Sequence, residues 1–171
     1  MNMISTKEWI SRNIRDGDKI NSETYQSIAD FCVMWALFEG TELHGFDVAV
    51  DELKNVSNRV AYSIQDIDIL LAFWVNRYTS ESTTNEKFEQ LNLSHQPHKD
   101  LVSQVLLGAE KNREKVTHAL LLIVYRLRNN LFHGVKDITQ ISGQISNLTT
   151  ASALLKNVLL ASGRYIFLNQ E

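Results

Sequence analysis

The segment from Val116 to Leu131 constrains this chain more than any other. Ala119 to Tyr125 is an unbroken run of seven apolar residues. Around it, Val116, Leu120, Ile123, Leu127 and Leu131 recur at the spacing of a helix face. A helix that is apolar on most sides has to be surrounded by other elements rather than laid on a surface. The apolar run is far short of the ~20 residues that cross a bilayer, so its cover must be protein.

The rest of the chain supplies helices to surround it. One proline, Pro97, and seven glycines leave few strong breakers in 171 residues. Helical patterns are expected from Thr6 to Arg15, from Ser22 to Glu39 before Gly40, from Phe46 to Ala61 and from Asp66 to Tyr78. A weak helix is expected at Glu86 to Leu91, then one at Lys99 to Ala109 and a last one from Ser146 to Phe167, where Gly163 can bend it. The polar TSESTTN stretch, Thr79 to Asn85, reads as a loop, and His95-Gln96-Pro97-His98 as a turn. No β-alternation stands out. The expected fold is all-α, an up-and-down bundle of about five to seven helices in which sequential helices pack antiparallel. Residues 1–171 form a single domain in this reading, with a length that supports one substantial core.

Charge and cysteine usage narrow the function classes. A net charge of −3 gives no overall attraction to nucleic acid, so any RNA contact has to come from a local patch. The lone cysteine, Cys32, excludes an internal disulfide and a cysteine-rich zinc site, and suits a reducing cytoplasm. The N-terminal sequence has no apolar stretch followed by a small-residue cleavage site, so no secretory signal is expected. Common nucleotide, zinc-protease and hydrolase signatures are missing, and neither a metal nor a cofactor is expected.

The apolar helix ends in Arg128-Asn129-Asn130-Leu131-Phe132-His133-Gly134. Histidine moves protons near neutral pH, and arginine grips phosphate with a planar fork of donors. An arginine, a polar partner and a histidine can therefore cut a phosphodiester whose own 2′-hydroxyl is the nucleophile. Arg128, Asn129 and His133 are the candidate catalytic residues. Arg126, Asn130 and Lys136 are the candidate substrate contacts. The Arg-x4-His spacing alone is weak, because Arg113 and His118 repeat it. There Glu114 follows the arginine and would repel phosphate, so that copy reads as a solvated helix start. Residues five apart also point about 140° away from each other on an ideal helix. Arg128 and His133 share a face only if the helix loosens near Gly134, whereas Arg126, seven residues before His133, shares it already. Either arginine can be the phosphate contact.

The Arg128–Asn129–His133 pattern resembles the ribonuclease signature of the HEPN superfamily of small α-helical proteins. The wording RNNLFHG, with WALFEG at Trp35 to Gly40, is most similar to HEPN proteins of plasmids and mobile elements. The resemblance is sharp over about fifteen residues and elsewhere covers only the helical pattern. It implies a HEPN-like bundle and a metal-independent endoribonuclease leaving 2′,3′-cyclic phosphate and 5′-hydroxyl ends. It further implies a homodimer with a shared cleft, and a role as toxin or defence effector with a separate antitoxin or regulatory protein. Members paired with a nucleotidyltransferase carry a tyrosine two residues after the histidine; this chain has Val135 there, which speaks against that mode of control. The competing expectation is a non-catalytic helical module that binds nucleic acid or a partner protein, or an adaptor in which the run is only a helix terminus. His95 and His98 read as a surface pair lacking a third zinc ligand, Trp35 and Trp74 as core, and Glu39 as a solvated helix end, with a partner for an arginine in the cleft as its second reading.

Overall fold

A computed structural model describes residues 4–43, 49–133 and 143–164. Among them lie eight α-helices: α1 (Thr6–Asn13), α2 (Ser22–Glu42), α3 (Ala49–Val60), α4 (Ile67–Tyr78), α5 (Glu86–Glu89), α6 (Gln96–Leu106), α7 (Arg113–His133) and α8 (Ile145–Ser162). The protein is an all-α bundle. The short α1 and the single turn of α5 take the number one above the expected range.

Helix α7 is the axis of the bundle. Nine consecutive residues, Val116 to Val124, are buried, which means that every side of the helix is covered. α3 and α6 pack against it, and α2 packs chiefly on α8. Two of the three main contacts, α2 with α8 and α3 with α7, join elements distant in sequence, while α6 and α7 are the sequential neighbours that a short connection suggests. Phe31, Trp35 and Phe38 of α2, Leu53 and Val56 of α3 and Trp74 of α4 all belong to the one core. The α3–α7 contact is close because its polar residues turn inward on their own backbones. Ser57 Oγ donates to the Leu53 carbonyl at 2.6 Å, and Thr117 Oγ1 donates to the Arg113 carbonyl at 2.8 Å.

The Arg113 end of α7 is not the solvated helix start expected of it. Arg113 Nε donates to the Ala61 carbonyl at 2.6 Å and an Nη atom donates to the Ile64 carbonyl at 2.8 Å. These oxygens lie where α3 runs out, and the last carbonyls of a helix have no partner of their own. His118 is buried as well. A charge run at a helix entry is usually solvated, but here α3 ends beside it and offers acceptors.

Other boundaries moved for local reasons. α2 continues through Gly40 to Glu42, past the expected end at Glu39. Phe38, Glu42 and Leu43 are buried, and their packing overrides the low helix propensity of glycine. Glu42 is held by Arg59 of α3 and, at 3.8 Å, by Arg164. The expected turn at His95 to His98 is the entry of α6, with Pro97 in the first turn, where a missing N–H costs nothing. The expected loop at Thr79 to Asn85 contains a hairpin, with Thr79 opposite Thr84 and Ser80 opposite Thr83. Its turn residues Glu81 and Ser82 both have positive φ, a role that asparagine and glycine normally announce. Asn85 fixes it by donating to the Arg77 carbonyl and accepting from the Lys87 and Phe88 amides. α8 stops at Gly163, which takes the left-handed cap conformation and is a terminator rather than a bend. The start expected for α3 at Phe46 falls outside the described residues, as do the last three residues expected of α8, Tyr165 to Phe167.

The Arg113 clamp has a measurable weight. Replacing Arg113 by Met keeps the stem but leaves two carbonyls without a donor, so unfolding in urea should show a loss of about 2–3 kcal/mol.

Candidate functional site

The motif residues sit on the last two turns of α7, and two different faces of the helix separate them. Arg126 and Asn130, one turn apart, face the segment after α5. Arg126 Nε donates to the Leu91 carbonyl at 2.8 Å, and Asn130 Nδ2 donates to the Gln90 carbonyl at 3.1 Å. Both of these candidate substrate contacts therefore serve as fasteners for the backbone at residues 90 and 91.

Arg128 faces α2 instead. Val124 and Leu121, on the same stripe one and two turns earlier, are fully buried. Arg128 continues that stripe to the edge of the core, where it is half-buried. Its guanidinium lies 5.8 Å from the Trp35 ring and 5.2 Å from the Phe132 ring, a separation at which a cation is drawn to the aromatic face. An Nη atom donates to Asn129 Oδ1 at 3.1 Å, and another lies 3.8 Å from Glu39 Oε1. Its Nε is buried and meets no partner among the described residues. The geometry thus distinguishes the two arginines. Arg126 is tied through Nε to a neutral carbonyl, whereas Arg128 is held by Asn129, two aromatic rings and one distant carboxylate.

Glu39 belongs to the same helix turn as Trp35, so α2 supplies both the ring under Arg128 and the carboxylate beside it. Phe132, one turn beyond Arg128, is 54% exposed and forms the outer wall of this niche. An apolar ring next to a partly free guanidinium is a surface that suits a nucleobase next to its phosphate.

α7 remains helical through His133, which places the Arg128 and His133 positions about 140° apart around the axis. The helix does not loosen before the histidine. The His133 side chain, Gly134, Val135 and Lys136 lie outside the described residues. No family model, no characterised protein and no solved structure matches this chain.

A second cluster was not expected from the sequence. The imidazole rings of His95 and His98 lie 4.3 Å apart, and those of His98 and His118 lie 6.0 Å apart. His95 and His98 belong to the start of α6, and His118 to α7. Burial, then the neighbouring His98 and Lys54, push His118 below the ordinary histidine value to about 4. His98 is lowered too, by burial and by His95, with Asp51 working in the opposite direction. Among the described residues no group of three His, Cys, Asp or Glu side chains is arranged to hold a metal ion. Burial raises the Cys32 thiol above its ordinary value, which disfavours its thiolate. The signal for the histidine trio lay in pairing two sequence features, the His95–His98 turn and the Arg113–His118 run, that are adjacent only in the fold.

The two arginines should separate experimentally. Arg126→Met leaves the Leu91 carbonyl unpaired and should cost about 1–2 kcal/mol in urea unfolding. Arg128→Met removes a half-exposed, weakly paired cation and should cost less than about 1 kcal/mol.

Proposed function

We propose that this chain is a metal-independent endoribonuclease of HEPN type, cleaving RNA as a homodimer. The observation that carries the reading is the state of Arg128. It is the arginine of the Arg128-Asn129-x3-His133 signature, and it stands half-buried at the end of the most enclosed helix, between the Trp35 and Phe132 rings.

The chemistry follows from the substrate. RNA carries its own nucleophile, the 2′-hydroxyl, and a base removes its proton as the oxygen attacks the adjacent phosphorus. The 5′-oxygen leaves with a proton from an acid, giving a 2′,3′-cyclic phosphate and a 5′-hydroxyl. Arg128 neutralises the charge that grows on the phosphoryl oxygens, the main electrostatic demand of the step. Asn129, already hydrogen-bonded to Arg128, holds its fork in register. His133 transfers the proton. One chain contributes one such histidine, and the Arg128 and His133 positions diverge around α7. A two-fold dimer that sets two copies of the motif across one cleft supplies both an acid and a base, and brings each arginine toward the partner's histidine. Lys136 and the outer faces of Arg126 and Asn130 would add contacts to the RNA backbone. In this reading the protein works in the cytoplasm as a toxin or defence effector, held in check by a separate antitoxin or regulatory protein.

A specific observation favours one rival. Glu39 lies 3.8 Å from Arg128, and a carboxylate so placed competes with phosphate for the guanidinium. On that reading Arg128 is a strut between α2 and α7, and the chain is a non-catalytic helical module that binds nucleic acid or a partner protein.

Purified protein incubated with RNA in EDTA decides between them. The ribonuclease should leave cyclic phosphate ends, spare DNA of the same sequence, and lose activity at least a hundredfold in His133→Ala, about the loss typical of a missing proton-transfer group. Intact RNA across several substrates, with binding retained, supports the rival.

A further inference from the structure

We infer that His95, His98 and His118 form an acid-released latch that closes the start of α6 onto α3 and α7. The cluster brings α6 and α7 together, while a polar tie at this end of α6, Lys99 to Glu89, runs to α5 instead. His118 is 9% exposed, and its Nε2 meets no hydrogen-bond partner among the described residues. A neutral imidazole tolerates this enclosure, but an imidazolium does not, because its second N–H has no acceptor and its charge is stripped of water.

The surroundings add to that penalty. From α6, His98 faces His118 and His95 faces His98. From α3, Lys54 raises the positive potential at His118, while Asp51 acts on His98 in the opposite sense. On α7 itself Glu114 lies one turn before His118. α8 carries one titratable side chain, Lys156, and that is exposed. The acid that influences the trio thus acts on its middle member, His98, not on the buried His118. The three rings do not form a metal site as they stand, so the latch closes by packing of the rings against one another.

The sign follows from linkage. His118 titrates near 4 in the folded protein and near the ordinary histidine value once released. The open or unfolded chain therefore binds more protons, and the stabilisation present above that ordinary value is lost progressively as pH falls toward 4. The segment before α6 is the one that Arg126 and Asn130 fasten through the Leu91 and Gln90 carbonyls. Opening the latch loosens those ties and turns both side chains toward solvent. That last consequence rests on the proposed reading of Arg126 and Asn130 as RNA contacts, whereas the latch does not.

Thermal melting of the wild type and of His118→Phe between pH 7.5 and pH 5 tests it without any activity assay. The wild type should lose stability more steeply, the folding equilibria of the two proteins diverging by roughly thirtyfold over that interval. Amide hydrogen exchange, corrected for its intrinsic pH dependence, should show residues 90–106 of the wild type opening first at pH 5. If His118→Phe does not fold, His98→Gln carries the test, since losing one charge from the cluster should flatten part of the same slope. Parallel pH profiles for wild type and variants would overturn the latch. So would a zinc-induced rise in melting temperature that disappears in the variants, which would make the trio a metal site. Loss of RNA cleavage with the pH profiles unchanged, or the reverse, separates failure of the latch from failure of the ribonuclease reading.

Discussion

Everything in this protein is arranged around the need to cover α7 on all sides. A helix with nine successive buried residues cannot be satisfied by one neighbour, so α3 and α6 both lie against it and α8 lies close by. Only its two ends reach the surface, and both ends carry arginine. At the first, Arg113 completes the end of α3. At the other, Arg126 and Arg128 leave the core on different faces, one toward a backbone carbonyl and one toward aromatic rings. Polar chemistry on this helix is confined to its termini because its middle admits none except side chains folded back on their own backbone, such as Thr117, or a neutral His118.

How much of this was legible depended on whether a residue's role was local. The apolar spacing of α7 and the aromatic density of α2 announced buried helices, since periodicity reports burial directly. Trp35 and Trp74 were readable as core for the same reason. Glu39 read first as a solvated helix end and only second as a partner for an arginine, because the pairing depends on α7 lying beside α2. The hairpin was not readable, because Glu81 and Ser82 take positive φ without the glycine or asparagine that signals such a turn. Nor was the clamp by Arg113, whose acceptors lie 52 and 49 residues earlier in the chain. The histidine trio failed the same way. Each half was visible, and their meeting was a fact of packing between α6 and α7.

The candidate site shows why spacing motifs need a structure. Arg113 and Arg128 each precede a histidine by five positions, yet the first is bound to backbone carbonyls and the second lies between aromatic rings. Arg126, the geometrically better match to the histidine's face, is spent on Leu91. What distinguishes Arg128 is a neighbourhood of rings. Aromatic faces hold a guanidinium by a broad, shallow attraction that fixes its position without saturating its N–H groups.

The pairing of α2 with α8 carries a cost in time. α2 ends at Glu42 and α8 begins at Ile145, so roughly a hundred residues separate two helices that serve as each other's principal cover. During synthesis α2 leaves the ribosome with Phe31, Trp35 and Phe38 bare, and at ribosomal speeds α8 follows only after on the order of ten seconds. For that interval the nascent chain presents a large aromatic surface with no partner of its own. The helix that lies under Arg128 in the finished protein is thus, while the chain is being made, its greatest exposure to aggregation and its clearest binding site for a chaperone.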